Sequence, residues 1–407
     1  MKKLLIVSNG HGEDWIAARV GSELLRLDPS LHVEAFPLVG VGKHFSAAGI
    51  RVAGPRQALP SGGFTMHAPD LLFRDLRAGL LRLTAKQVGW LRAAKPAAVF
   101  TVGDFYAQAH SSLVRAPRSV LQPLISAHHF VGRRGGRKLL RYFMEDFRGA
   151  ERRLLRAAGR VYARDERTAT WLRDHGVDSA VFLGNPMMDG LTAAPLFEPG
   201  RGPLGEAPTV ALLPGSRAQA EASSAIMAEA LTRLGSAHGL VAWTGRLPPP
   251  VLPGWQRQPG PTADILAVDT AEGGRHVLWW VHRRFAAILR TARAVLATAG
   301  TATEQAVGLG LPAVVFPVPP LFTGPYLDNQ VRLLGRGLLP VPAQPSKIAH
   351  KLRLALNDPE RRRAAREAGL ERMGTSGGSA AIALDLLHWL TSLSPDRDAT
   401  RYAAYST

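Results

Sequence analysis

Between Ala294 and Phe316 the sequence holds residue types suited to binding a phosphorylated ligand. An apolar run, Ala294 to Ala297, stops at the small-residue turn Thr298-Ala299-Gly300-Thr301-Ala302-Thr303. Glu304 opens a helical segment that reaches about Leu309. Gly310-Leu311-Pro312 then breaks the pattern and a second apolar run begins at Ala313. A helix starting at the end of a parallel strand presents unpaired N–H groups and the positive end of its dipole, and both favour an anion. Gly300 allows close backbone approach. Thr301 and Thr303, with Ala302 between them, can cap the helix or hydrogen-bond a phosphate. Glu304 has the wrong charge for a phosphate and the right chemistry for a ribose diol. The stretch therefore predicts a nucleotide diphosphate on the turn with its sugar hydroxyls on Glu304.

Other candidates stand at similar strand ends. Thr209 to Leu213 runs into Pro214-Gly215-Ser216-Arg217, a strand, glycine turn and basic residue that suit phosphate. Asp104 follows the strand Val99 to Val102 at its C-terminal edge, where open α/β sheets place ligands. Spacing alone leaves Asp104 open between a general base and a helix N-cap. In the first turn, Asn9, His11 and Glu13 are candidate contacts for an acceptor or its phosphate, as are His128 and His129. A lone histidine is more often structural. Asp14 reads as a helix cap. The histidines lack zinc-type spacing with carboxylates, so no catalytic metal is expected; no other cofactor is expected either.

The elements that must position these residues alternate along the chain. Leu4 to Val7, Val33 to Leu38, Val99 to Val102, Ser119 to Ile125 and Arg160 to Ala163 are apolar runs of parallel-strand type. A helix from about Trp15 to Leu27 follows the first. After a Pro- and Gly-rich linker at 191–208, the pattern restarts with Thr209 to Leu213. A helix from about Gln219 to Leu234 follows, then strands near Leu240 to Thr244 and Val277 to Trp280. Pro248 to Pro261 reads as irregular, and Leu321 to Asn329 as a loop bearing Asp328-Asn329-Gln330. The fold class is α/β, with doubly wound domains at 1–190 and 209–378. A terminal helix and tail occupy 379–407.

Two nucleotide fingerprints are excluded. Gly10-His11-Gly12 lacks the third glycine, because Trp15 stands in its place. Val39-Gly40-Val41-Gly42-Lys43 lacks the upstream glycine of a phosphate loop, and His44 follows the lysine.

The chain has 407 residues, no cysteine and a net charge of +18. Disulfides and thiolate metal sites are excluded. The charge fits an anionic partner, and Arg usage set by base composition accounts for it equally well. Leu71 to Leu91 reads as one amphipathic helix, either core-facing or a basic surface lying on an anionic membrane after the Phe64 to Pro69 loop. The stretch from Arg133 to Arg160 is dense in Arg and Lys. No recognisable nucleic-acid motif accompanies it, and no nucleic-acid partner is expected. No apolar run spans a bilayer, and the first is too short for a signal sequence, so a cytoplasmic protein is expected.

Two Rossmann-like halves and a Gly-Thr-Ala-Thr-Glu turn resemble a GT-B glycosyltransferase, and more specifically bacterial lipid-A-disaccharide synthase and its relatives. Leu212 to Arg217 with Glu221 is the closest match. Val41-Gly42 and Ala53-Gly54-Pro55 echo the family's early loop region. Val102-Gly103-Asp104-Phe105 resembles the segment bearing its proposed catalytic Asp, and Gly300-Thr301-Ala302 with Glu304 its nucleotide turn. Asn329, beside Gln330, falls where the family has a donor-contacting Asn. Gly184-Asn185-Pro186, Ala127-His128-His129-Phe130 and the first turn depart from the pattern.

The resemblance implies two domains facing a central cleft, with the C-terminal helix crossing back to the first. It implies a UDP-sugar donor bound by Gly215, Ser216, Arg217, Gly300 to Glu304, Asn329 and Gln330. It also implies a lipid acceptor at the inner membrane face, Asp104 as general base, inversion at the anomeric carbon, and no metal. The alternatives are a UDP-N-acetylglucosamine 2-epimerase on the same fold and a non-enzymatic polyanion-binding protein.

Overall fold

The computed structural model describes residues 3–58, 69–131, 146, 147, 149–198, 207–217, 219–245, 247–319 and 322–393. The chain divides into two compact units: Met1–Pro186 with Gly377–Thr407, and Met187–Ser376.

The first unit is built on a seven-stranded parallel sheet. Its strands are β1 (Lys3–Ser8), β2 (His32–Pro37), β3 (Arg51–Val52), β4 (Ala98–Val102), β5 (Arg118–Gln122), β6 (Arg160–Ala163) and β7 (Ala180–Val181). Leu4 to Val7 in β1 and Val99, Phe100 and Val102 in β4 are buried on both faces, which is why these strands read as unbroken apolar runs. The helices are α1 (His11–Leu27), α2 (Lys43–Ala47), α3 (Pro69–Arg77), α4 (Leu80–Ala93), α5 (Phe105–Ser111), α6 (Ala127–Phe130), α7 (Gly149–Arg156) and α8 (Glu166–Asp174). The strand order β3-β2-β1-β4-β5-β6-β7 reverses direction between β1 and β4. At such a switch point the flanking helices leave to opposite faces and a crevice opens at the strands' C-terminal ends.

The second unit repeats this plan. Its strands are β8 (Thr209–Leu213), β9 (Ala237–Ala242), β10 (Gln256–Thr262), β11 (Ile265–Ala271), β12 (His276–Val281), β13 (Ala294–Ala297), β14 (Ala313–Val315) and β15 (Leu338–Pro340). They are ordered β10-β11-β12-β9-β8-β13-β14-β15, so the reversal falls between β8 and β13. The helices are α9 (Ala220–Thr232), α10 (Phe285–Thr291), α11 (Thr301–Gly308), α12 (Gly324–Leu334), α13 (Pro345–Asn357) and α14 (Pro359–Met373). The last helix, α15 (Gly378–Ser392), belongs to the first unit and packs on α1. Asp385 fixes it there: Arg160 donates to both carboxylate oxygens, at 2.9 and 3.0 Å, and the Tyr162 hydroxyl donates at 2.8 Å.

Several expectations are corrected. α1 begins at His11, so Gly12 to Asp14 are helical rather than part of a turn. Asp14 is not the cap, because its carboxylate accepts from the Ser8 hydroxyl at 2.6 Å. β5 stops at Gln122 because Pro123 cannot continue the ladder. The stretch read as one helix from Leu71 to Leu91 breaks at Gly79, whose φ of 95° suits glycine. α4 turns Leu83 and Leu91 inward. α3 buries Asp75 (1% exposed) and turns Phe73 (56%) and Leu76 (40%) outward.

The irregular stretch at Pro248 to Pro261 contains most of β10, which pairs antiparallel with the unanticipated β11. Asp328-Asn329-Gln330 lie on α12 rather than in a loop, with Pro325 in its first turn where a missing N–H costs nothing. Part of the expected linker is core, since Phe197 is buried and packs edge-on to Trp279. Phe64 to Ala68, the residues Arg133, Arg134, Arg137, Lys138, Arg141 and Arg148, and the tail from Ser394 lie outside the described residues.

Candidate functional site

In the first unit, the C-terminal ends of β1 and β4 bring together Asn9, Glu13 and Asp104. The two loops pack so closely that a Cβ on Gly103 would lie 3.0 Å from the Asn9 Cβ and 3.0 Å from the Ala107 Cβ. Gly103 also has φ of 144°, so only glycine suits this position. The close approach lets Asn9 Nδ2 donate to Asp104 Oδ1 at 3.1 Å. The same oxygen accepts from the Tyr106 N–H at 2.9 Å, and Asp104 is the N-cap of α5. Capping and proton transfer are not exclusive, because the Asn9 and Tyr106 bonds both fall on Oδ1, and Oδ2 can take a proton.

These carboxyl groups are shifted toward neutrality. Burial pushes Glu13 up to about 7; its own backbone N–H opposes this, and the nearby Asp104 and Asp14 charges add to it. Burial pushes Asp14 up to about 6 against the Ser8 hydrogen bond. Burial also raises Asp104, against the N–H groups of Tyr106, Ala107 and Asp104 itself. A carboxylate of raised pKa at a switch-point crevice suits general base chemistry near neutral pH. Among the described residues no group of His, Asp and Glu is placed to hold a metal ion.

His128 and His129 lie farther along the same edge, on α6 after β5. His129 Nδ1 accepts from the Ser126 N–H at 3.4 Å and completes a capping box. Arg167 Nη1 stands 3.2 Å from His128 Nδ1. Arginine can only donate, so His128 carries its proton on Nε2. The structure does not place either ring against Asp104. The His11 backbone opens α1.

In the second unit, the turns after β8 and β13 are tied together. Thr298 is fully buried, and its hydroxyl lies 3.2 Å from the Pro214 carbonyl and 2.9 Å from Ser223 Oγ. Ser216 and Arg217 are exposed on the first turn. Gly300 is the N-cap of α11 and provides no side-chain cap. Thr301 is exposed, Ala302 and Glu304 are half-buried, and Thr303 is buried with its hydroxyl donating to the Ala299 carbonyl at 2.5 Å. The Thr303 hydroxyl is thus turned into the helix. From α12, Gln330 Nε2 donates to that carbonyl at 3.2 Å, and Asn329 Oδ1 accepts from Arg332 at 3.2 Å. The structure therefore gathers Gly215, Arg217, Gly300 to Glu304 and Gln330 around one switch point.

Two residues near these switch points escape sequence reasoning. Asp14 carries only the signal of a cap. Tyr326 precedes Gln330 by one helical turn, a spacing that carries a signal only once α12 is recognised as a helix.

No protein-family model and no curated protein matches the sequence. Solved structures do match in fold. The calicheamicin glycosyltransferase CalG4 aligns at a TM-score of 0.60 and 16% identity, covering 97% of this chain and 100% of its own. The S. aureus MnaA–UDP structure aligns at 0.58 and 13% identity, covering 98% and 99%. The UDP-GlcNAc 2-epimerase from Neisseria meningitidis, bound to UDP-GlcNAc, aligns at 0.55 and 13% identity, covering 96% and 100%. With two Rossmann-like units in one chain, the protein has the GT-B fold, which glycosyltransferases and 2-epimerases share.

Proposed function

We propose that this protein is a glycosyltransferase. It moves a sugar, an acylated or N-acetylated glucosamine, from a UDP-sugar to a lipid-linked acceptor, in the manner of lipid-A-disaccharide synthase. The observation that carries this reading is the pairing of roles on one chain. An uncapped helix N-terminus with Arg217 and Glu304 stands at one switch point, and Asp104 with raised pKa at the other. The UDP-bound neighbour of the same fold supports the nucleotide.

In this mechanism the diphosphate sits on the Gly300 turn and the ribose hydroxyls on Glu304. Asp104 Oδ2 takes the proton of the acceptor hydroxyl as its oxygen bonds to the anomeric carbon. The bond from that carbon to the phosphate oxygen breaks on the opposite side, which inverts the centre. The negative charge that develops on the leaving diphosphate is met by Arg217 and the α11 dipole without a metal. The acceptor is drawn from the inner face of the cell membrane, where Phe73 and Leu76, flanked by Arg74 and Arg77, supply an apolar and basic surface.

Glu304→Ala is expected to weaken UDP by about tenfold, read by titration calorimetry, because a hydrogen bond to a charged group is lost. Unchanged affinity would remove Glu304 from the site. The 2-epimerase reading rests on the neighbours alone. It requires UDP-N-acetylglucosamine to be converted with no acceptor present, and the absence of such conversion excludes it.

A further inference from the structure

We propose that Tyr326, on α12, is a positioning residue that donates its hydroxyl to a phosphoryl oxygen of a nucleoside diphosphate bound at the Gly300 turn. This inference rests on the nucleotide reading of the second unit and adds a third element to that site.

A Cβ built on Gly300 would lie 2.8 Å from the Tyr326 hydroxyl oxygen, so the phenol stands directly over the uncapped start of α11. Its ring is held in place from α12's own surroundings. It packs against Phe322 at a centroid distance of 4.7 Å and an interplanar angle of 60°. Gln330 Nε2, one turn along, approaches the hydroxyl at 3.5 Å as a donor, so the phenol oxygen accepts and its proton remains to be given. Among the described residues no hydrogen-bond acceptor takes that proton.

A second observation points to a ligand. Gln330 is 4% exposed and among the described residues its Oε1 has no hydrogen-bond partner, while its Nε2 donates to the Ala299 carbonyl just before the turn. A buried orphan acceptor is costly unless something completes it. Burial, opposed only by Arg217 and reinforced by Glu304, raises the Tyr326 pKa and keeps the phenol protonated. A protonated phenol beside helix N–H groups gives donors to an anion, and the Gln330 oxygen gives an acceptor to a hydroxyl or N–H of the same ligand. A plain phosphate uses the donors alone. A nucleoside diphosphate uses both.

Titration calorimetry with UDP, uridine and inorganic pyrophosphate tests the assignment. Tyr326→Phe is expected to weaken UDP and pyrophosphate by about tenfold and leave uridine within about twofold. If that variant folds poorly, Gly300→Ala is read in the same way, because its methyl group enters the position next to the hydroxyl and displaces it. UDP affinity unchanged in Tyr326→Phe, or uridine and UDP weakened in equal proportion, overturns the role of the hydroxyl alone. Wild-type protein that binds neither UDP nor pyrophosphate overturns the nucleotide reading and this role with it.

Discussion

Glu13, Asp14 and Asp104 are acids held in a setting that favours their neutral forms. The sign of their effect on stability follows. A carboxyl whose folded pKa is raised contributes most below its unfolded pKa, near 4, and loses that contribution as pH rises through the folded value. For Glu13 the loss is centred between about 4.5 and about 7. Glu13→Gln should therefore gain stability relative to wild type on going from pH 4.5 to pH 8, by roughly 1–3 kcal/mol. Urea unfolding at the two pH values reads this, and an equal difference at both would mean that Glu13 titrates normally. Asp104 is legible from its place after an apolar strand. The environment that raises it is not, because burial depends on how the β1 and β4 loops meet at Gly103, and no local pattern encodes that meeting.

Among elements, the most legible are the strands buried on both faces. β6, β8 and β13 fall where unbroken apolar runs place them, since a central parallel strand needs apolar residues on every side. β10 is illegible for a physical reason. Its residues Gln256 to Thr262 include Pro259, Gly260 and Pro261 and are largely exposed, so neither composition nor alternation marks a strand.

The strand is held by long-range bonds instead. Arg257 donates to the buried Asp269 at 2.8 and 2.7 Å, Trp280 Nε1 donates to Asp269 at 2.7 Å, and Arg257 also reaches the carbonyls of Pro249 and Pro250. Removing Asp269 leaves Arg257 and the Trp280 N–H without their acceptor. Asp269→Ala should cost about 3–5 kcal/mol in urea unfolding. A loss below ~1 kcal/mol would show that the cluster does not hold the β10 edge. α12 reads as a loop because Thr323-Gly324-Pro325 carries turn chemistry, although the same residues also start helices. A loop reading of α12 hides the turn-to-turn relation of Tyr326 and Gln330.

For the whole molecule, the alternation of strands and helices is enough to predict two doubly wound units, and the return of α15 to the first unit follows from the family resemblance. The basic charge of +18 has no single structural cause. On α3 it has a local one: arginines flank outward Phe73 and Leu76, and Arg77 stacks over the Phe73 ring at 4.5 Å. Vesicles containing anionic lipid should bind the protein more tightly than neutral vesicles, with the difference falling as salt is added. Replacing Phe73 and Leu76 by serine should weaken binding by about tenfold. Equal binding to neutral vesicles would show that the arginines play no part, and no binding to either kind of vesicle would show that α3 is not a membrane surface.

Transfer of a sugar from a UDP-sugar to a lipid-linked acceptor with Asp104 as base is open to direct measurement. The direct measurement is UDP release from UDP-N-acetylglucosamine or its acylated analogue, with and without a lipid-linked monosaccharide phosphate, in wild type and Asp104→Asn. Acceptor-dependent release that falls by about 10²–10⁴-fold in Asp104→Asn, with UDP binding retained, is the predicted result. Donor consumption that needs no acceptor, or release that survives in Asp104→Asn, would contradict it.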